Sequence, residues 1–235
     1  IETDTAHIWS VMSQYNKTHK RTGHNNKNLT FGEFTQWTTQ EIISKCGTGI
    51  IATNKRFALP QMSPIQYPKR DLPLNPYLLG LLLGDGGLTN DSTIISSGDQ
   101  EILNAFTTGG FELRCGGKYS YRILGMVGII KKLGLYGLKS SQKFIPDDYL
   151  FNSIENRVAI LSSLLDTDGH ISQCRVGIEF VSVSEKLANN VMFLVKSLGG
   201  RAVLSEKETT FSYKGEKRTG QKAYRLSIKI NNLCP

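Results

Sequence analysis

The sequence predicts an α+β fold made of two αββαββα halves related by a pseudo-two-fold axis, behind an extra N-terminal segment. Three observations predict it. First, an apolar block ending in Asp-Gly occurs twice, at Leu78–Gly86 and at Leu161–Gly169. Asp168 follows Asp85 by 83 residues (168 − 85), a domain-sized repeat. Second, each block is followed by the same succession of strand-like and helix-like patterns. Third, five of the seven prolines (Pro60, Pro64, Pro68, Pro73 and Pro76) fall in one linker-like stretch, which sets the preceding residues apart. The expected boundaries are an N-terminal segment over 1–60, a linker over 61–76, a first half over 77–150 and a second half over 151–235.

Each element has a local reason. His7–Met12 reads as a short strand, and Lys17–Asn28 is polar, basic and loop-like. Thr38 stands three residues ahead of Glu41, the spacing of a capping box, so a helix starts there. Asn75-Pro76 reads as an N-cap with proline at the first helical position. The run Tyr77–Asp85 is apolar on every side, which predicts a buried helix stopped by Gly86 and Gly87. Thr93–Ser97 reads as a strand and Gln100–Phe106 as a helix. In the second half Ser153 caps a helix that runs to Asp168, Gly177–Ser182 is a strand and Glu185–Leu198 a helix. Tyr121–Leu124 and Tyr224–Ser227 occupy equivalent places as strands.

Composition narrows the function. The chain has 235 residues, 39% of them hydrophobic, enough for real cores. No run of eighteen apolar residues and no secretory signal pattern is present, so an intracellular protein without a membrane span is expected. Cys46, Cys115, Cys174 and Cys234 are dispersed, which argues against a zinc cage or a disulfide framework. The formal charge is +8 and the pI about 9.3. From Arg114 to Lys143 there are seven basic residues and no acid, and from Lys207 to Lys229 seven against two acids. Clusters of this kind suit a polyanion, because each phosphate contact releases condensed counterions. Solvated loops are the alternative reading of the same charges.

The two Asp-Gly helix ends point to chemistry. Gly80 and Gly84 share one helix face, and Ser163 and Thr167 repeat the spacing. Small residues there let two helices approach closely, which would bring Asp85 and Asp168 out together. Both carboxylates would then sit at negative helix termini and repel each other. A hard divalent cation, Mg²⁺ or Mn²⁺, removes both penalties, and Ca²⁺ is a non-productive substitute. Facing a phosphodiester, such a site can activate water and stabilise the leaving oxygen.

These residues resemble the LAGLIDADG homing endonucleases. Leu78–Gly86 and Leu161–Gly169 look like the two signature motifs, and Lys143-Phe144-Ile145-Pro146 looks like the version found within inteins. The resemblance covers residues 70 to 233. It implies the homing endonuclease fold and a single-chain, monomeric nuclease whose halves share one site and lay curved sheets in the major groove of double-stranded DNA. It implies Asp85 and Asp168 as metal-binding catalytic carboxylates, with the carbonyls of Gly84 and Thr167 completing the shell. Lys143 best matches the catalytic lysine, with Lys139 its neighbour in competition. The family cuts both strands and leaves 3′ overhangs. The DNA face is expected from Arg114, Lys118, Tyr119, Tyr121 and Arg122 in the first sheet. In the second it is expected from Arg175, Lys207, Lys214, Lys217, Arg218, Lys222 and Arg225.

Two departures shape the expectation. Only ten residues follow Arg225, so the second half is expected to lack its last helix and the equivalent lysine, leaving Lys229 as the late candidate. The N-terminal segment resembles part of an intein at Thr38–Ile42 and Asn54–Phe57, and an extra DNA-binding element is the alternative, given the basic run from Lys17 to Lys27. Splicing needs a nucleophile at residue 1 and a terminal His-Asn, and with Ile1 and Pro235 there the chain is not expected to splice. The competing functions are a nucleic-acid-binding module without catalysis, such as an RNA maturase or a transcription regulator, and a trimmed intein.

Overall fold

The computed structural model describes residues 4–13, 34–46, 57–58, 62–89, 91–171, 177–213 and 216–230. The chain forms two compact units, Ile1–Met62 and Ser63–Pro235.

In the first unit β1 (Ile8–Ser13), β2 (Phe34–Thr38) and β3 (Phe57–Ala58) form an antiparallel sheet in the order β2-β1-β3. Helix α1 (Thr39–Cys46) follows β2 directly. Thr38 and Glu41 make the reciprocal capping box: the Glu41 amide donates to Thr38 Oγ1 at 3.2 Å and the Thr38 amide to Glu41 Oε2 at 2.7 Å. The basic stretch Lys17–Asn28 lies outside the described residues.

The second unit opens on an extended strap, 63–75, and not on a free tether. The Ile65 amide donates to the Ser197 carbonyl at 2.8 Å. Leu74 exchanges two hydrogen bonds with the Tyr149 hydroxyl, and Asn152 brackets the backbone of Arg70 from both sides. Arg157, fully buried, donates to the carbonyls of Asn152, Ser197 and Ile65 and to Ser197 Oγ. It also lies 5.0 Å from the Tyr67 ring. A stretch rich in proline cannot join a ladder, so side chains of the folded unit satisfy its backbone instead.

The strap leads into α2 (Pro76–Asp85), which Asn75 caps through the Tyr77 amide at 2.9 Å. Next come β4 (Gly86–Gly87), β5 (Thr93–Ser96), α3 (Gln100–Thr108), β6 (Leu113–Gly117), β7 (Ser120–Ile123) and α4 (Met126–Lys132). A 3₁₀ turn at Ser140–Gln142 and the short α5 (Asp147–Leu150) bridge to the second half. That half contains α6 (Ile154–Asp168), β8 (Gly169–Ile171), β9 (Ile178–Ser182), α7 (Glu185–Ser197), β10 (Arg201–Tyr213) and β11 (Glu216–Lys229).

The duplication is visible in the sheets. One runs β4-β5-β7-β6 and the other β8-β9-β11-β10, both antiparallel throughout. Each half is helix, two strands, helix, two strands. The first closes with α4; the matching place in the second falls on residues 231–235, outside the described residues. One face of each sheet is buried: Ile95 and Ile123 in the first, Phe180, Ala202, Leu226 and Ile228 in the second. These pack with Leu78, Leu79, Leu81, Leu82, Ile160, Leu161 and Leu164 into one apolar core. Helix α2 is therefore apolar on nearly every side because both halves bury it, while α6 buries one apolar stripe and exposes Glu155 and Asp166.

Candidate active site

The site is built on the contact between α2 and α6. A Cβ added to Gly80 would lie 1.8 Å from Ser163 Oγ, and one on Gly84 2.1 Å from Thr167 Oγ1. The matched positions ascend together along both helices, so the helices run parallel and finish side by side. The hydroxyls that face the glycines turn back on their own helix, Ser163 Oγ to the Ile160 carbonyl and Thr167 Oγ1 to the Ser163 carbonyl, both at 3.1 Å. Their hydrogen bonds are satisfied locally, and the interface needs no polar partner from α2.

Each helix then ends the same way. The Gly86 amide donates to the Leu82 carbonyl, and the Gly169 amide to the Leu165 carbonyl. Both glycines are extended, at φ −84° and −82°, so conformational freedom is not what they supply. A Cβ there would sit 2.3 Å from the Leu82 oxygen or 2.1 Å from the Leu165 oxygen. The glycine after each aspartate is required by close approach, which turns the chain from helix straight into strand. The turn leaves Asp85 and Asp168 as the last helical residues of two adjacent parallel helices.

Lys143 sits between these helix ends. It is only 3% exposed, and its Nζ donates to the carbonyls of Leu82 (3.2 Å), Leu83 (3.0 Å), Gly84 (3.1 Å) and Gly86 (2.7 Å). The last turn of a helix leaves carbonyls without partners, and this ammonium caps them. Its own carbonyl accepts from Ser184 Oγ at 2.7 Å, and the Ile145 amide donates to Asn190 Oδ1 at 3.0 Å. The second half thus fixes the lysine that caps the first half's helix. Lys139, by contrast, is exposed on the 3₁₀ turn.

The electrostatics are those of a crowded, partly dry triad. Burial raises the Asp168 carboxyl, the negative charge of Asp85 raises it further, and Lys143 pulls the other way, leaving it at about 6. Burial also raises Asp85, against the pull of Lys143. Burial lowers Lys143 to about 8, although both aspartates favour its charge. Asp166, the other acid of the second block, is engaged elsewhere: it accepts from the Tyr77 hydroxyl at 2.8 Å. Burial first and that hydrogen bond second push Tyr77 up to about 12.

The sheets sort the basic candidates by face. In the first sheet Arg114 and Arg122 are cross-strand partners on the side away from the helices, beside Ile94. Lys118 and the 54% exposed Tyr119 form the β6–β7 turn, with Lys118 Nζ 5.1 Å from the Tyr119 ring. Tyr121 falls on the other side: it pairs with buried Ile95 and packs against the core. In the second sheet Lys207 and Arg225 share the outward face. Lys222 lies on the helix side, paired with Glu206 at 2.7 Å. A period of two assigns residues one apart to opposite faces, so Tyr121 and Lys222 cannot share a surface with Arg122 and Arg225. Arg175 and Lys214 lie outside the described residues, as do the side chains of Lys217 and Arg218, whose backbones are in β11. Arg201 and Lys229 join the outward face by register. The alternation along Arg201–Ser205 was the signal that could have placed Arg201 there.

Residues 155–231 match the family model of the LAGLIDADG-like domain. A replicative DNA helicase DnaB of Mycobacterium intracellulare is 27% identical over 191 residues, which are 81% of this chain and 30% of that protein. The chain thus spans less than a third of that relative's length. Among solved structures, mesophilic variants of the homing endonuclease I-DmoI align at 14% identity over 67% of this chain and 89% of theirs, with a TM-score of 0.40. I-DmoI in complex with DNA and Ca aligns at 14% identity over 67% and 83%, also with a TM-score of 0.40.

The donors at the ends of α2 and α6 fit a hard cation. No group of three His, Cys, Asp or Glu side chains clusters among the described residues. The donor set is therefore two carboxylates and backbone oxygens, which suits an ion that keeps several waters. Burial holds both carboxyls above their ordinary value, and the charge of Asp85 adds to it at Asp168; a divalent charge would offset both effects.

Proposed function

We propose that this chain is a site-specific homing endonuclease that binds double-stranded DNA as a monomer and hydrolyses both strands, leaving 3′ overhangs. The observation that carries this reading is the parallel pair of helices ending in Asp85 and Asp168 around the buried ammonium of Lys143. Asp85 and Asp168 would hold a divalent cation, Mg²⁺ or Mn²⁺, with the carbonyls of Gly84 and Thr167 as further donors. The Gly84 oxygen keeps one lone pair beside its bond to Lys143. When bound, the cation supplies positive charge to the scissile phosphate and makes water more acidic. The chain's own residues do the rest. The α2–α6 contact fixes the spacing of the carboxylates, and Lys143 holds the end of α2 while adding positive charge next to both. Arg114, Arg122, Lys207 and Arg225 present cations on the outward sheet faces, where phosphates and base edges are met.

A second reading, that the unit is carried as an intein inside a host protein, is favoured by one observation. The chain matches a stretch of 30% of a protein named for helicase activity. The uninterrupted gene of such a helicase is then the first target to try.

The test uses a supercoiled plasmid bearing that uninterrupted gene, with Mg²⁺. Linear product with 3′ overhangs is expected, and Asp85→Asn and Asp168→Asn should each abolish it. Cleavage by either variant at the parental rate removes that aspartate from the mechanism. Tight RNA binding with no DNA cleavage in Mg²⁺ or Mn²⁺ would replace the nuclease reading with the maturase one.

A further inference from the structure

The segment that carries Lys143 belongs to no helix or strand. It runs from the 3₁₀ turn at Ser140–Gln142 to the start of α5 at Asp147. Lys143 and Ile145 are nonetheless buried, at 3% and 1% exposure, so their backbone polar groups need partners that no ladder supplies. The N-cap and first two turns of α7 supply them. Ser184, fully buried at the N-cap, accepts from the Leu187 amide at 3.1 Å and donates to the Lys143 carbonyl at 2.7 Å. Lys186 Nζ lies 3.9 Å from the centre of the Phe144 ring. Asn190 Oδ1 accepts from the Ile145 amide at 3.0 Å. Lys143, Phe144 and Ile145 are thus each held by one side chain from the start of α7.

Asn190 is the informative member of the three. It stands inside α7, where asparagine is a poorer helix former than alanine because its amide competes for backbone groups. Helix formation does not account for it, whereas the bond to Ile145 does. The demand on that bond comes from the other end of the lysine. Its ammonium has three hydrogens for four carbonyl acceptors, at 2.7 to 3.2 Å. Three hydrogens serve four oxygens only from a point between them, and a displacement of about 1 Å takes some of these contacts out of hydrogen-bonding range. The position of that point relative to the ends of α2 and α6 is fixed by where the backbone of 143–145 is held.

We propose that Asn190 is a positioning residue of the active site: by holding the Ile145 amide, with Ser184 on the Lys143 carbonyl, it sets how far Lys143 reaches toward the ends of α2 and α6. The inference deepens the nuclease reading above and rests on it. Asn190 acts through the backbone of 143–145, and the second half thereby places a group that serves the first half's helix. Ser184 shares the task but also caps α7, so its loss would mix two effects. Asn190 separates them.

The test takes two measurements on the full chain. Asn190→Ala removes the acceptor and leaves a better helix former, so α7 itself is not weakened. Single-turnover cleavage of the plasmid at saturating protein in Mg²⁺ should slow about 10- to 100-fold, the scale of a misplacement of about 1 Å. Affinity for a duplex in Ca²⁺ should stay within about twofold of the parent, which separates placement of the lysine from binding. The second measurement needs neither metal nor DNA. In a proton–nitrogen correlation spectrum of lysine-labelled protein in mildly acidic buffer, the Lys143 ammonium should give a signal, because its carbonyl partners slow exchange with water; loss of that signal in Lys143→Met assigns it. The signal should vanish in Asn190→Ala and persist in Asn190→Asp, which keeps an acceptor oxygen, and Asn190→Asp should cleave within about threefold of the parent. Asn189→Ala, an exposed neighbour whose amide turns back on the Glu185 carbonyl, should change neither readout. An unchanged cleavage rate or an unchanged ammonium signal in Asn190→Ala overturns the proposal, as does an equal effect in Asn189→Ala. A parent without the signal refutes the four-carbonyl grip itself. If the parent cuts no DNA, the nuclease reading fails separately, and the ammonium signal still decides whether Asn190 places Lys143.

Discussion

Replacing Gly84 by alanine separates two physical effects of opposite sign. In an unconstrained helix the change stabilises by up to about 1 kcal/mol, because alanine loses less backbone entropy. Here the new Cβ would meet Thr167 Oγ1 at 2.1 Å, Cβ at 2.6 Å and Cγ2 at 3.2 Å. Rotating Thr167 moves the Oγ1 and Cγ2 but not the Cβ, which is fixed by the backbone. The helices must therefore separate by roughly 1 Å at this point, and overpacking of that kind costs about 1–3 kcal/mol. The net expectation is a loss of about 1–2 kcal/mol, measured by urea unfolding of the metal-free protein. Thr167→Gly removes all three contact atoms, so Gly84→Ala in that background should revert to neutral or stabilising. The double-mutant cycle should report a coupling of about 2 kcal/mol. Cleavage should fall further than stability, because the same separation moves Asp85 from Asp168. A Gly84→Ala protein as stable as the parent, or an equal effect in both backgrounds, refutes the close approach of α2 and α6.

Other consequences follow from the same site. The folded-state pKa of Asp168 is raised to about 6, so its contribution to stability is present in full below the unfolded value of about 4 and is lost as pH rises through 6. The metal-free protein should lose about 2 kcal/mol between pH 4 and 7.5 from this group, and Asp168→Asn should flatten the profile; an identical slope in the variant contradicts the assignment. Lys143 is depressed to about 8, so stability tied to it should rise with pH from 8 toward 10.5, a limb that Lys143→Met removes. Lys143→Met should also leave the carbonyls at the end of α2 without their donor and cost about 2 kcal/mol at neutral pH by urea unfolding. No change in unfolding midpoint would mean that the lysine does not cap the helix. Arg157→Leu should free the strap 63–75, costing about 3 kcal/mol and speeding proteolysis near Tyr67; an unchanged digestion pattern would show that the strap is held without it.

Much of this molecule is a consequence of local pattern. Two apolar runs closing in Asp-Gly, two small-residue pairs at helical spacing and a capped start at Asn75 and Ser153 dictate the central helices, because each signal acts within a few residues. The duplication and the order of strands within each half follow from repeats of that kind. Other features depend on contacts that no local window contains. Lys143 was legible as a candidate through its neighbourhood, but its grip on four carbonyls 57 to 61 residues away is set by how Ser184 and Asn190 hold its segment. Tyr121 and Lys222 fall on the helix side of their sheets because a strand's face is decided by register against its partners, and shifting one residue reverses it. The proline-rich stretch looked like a tether, yet Arg157, Asn152 and Tyr149 claim its backbone from elements up to 92 residues on. Sequence alone determined that two aspartates would end two buried helices. Only tertiary structure brought those ends together, since close packing of facing glycines and hydroxyl residues is a property of the pair and not of either helix.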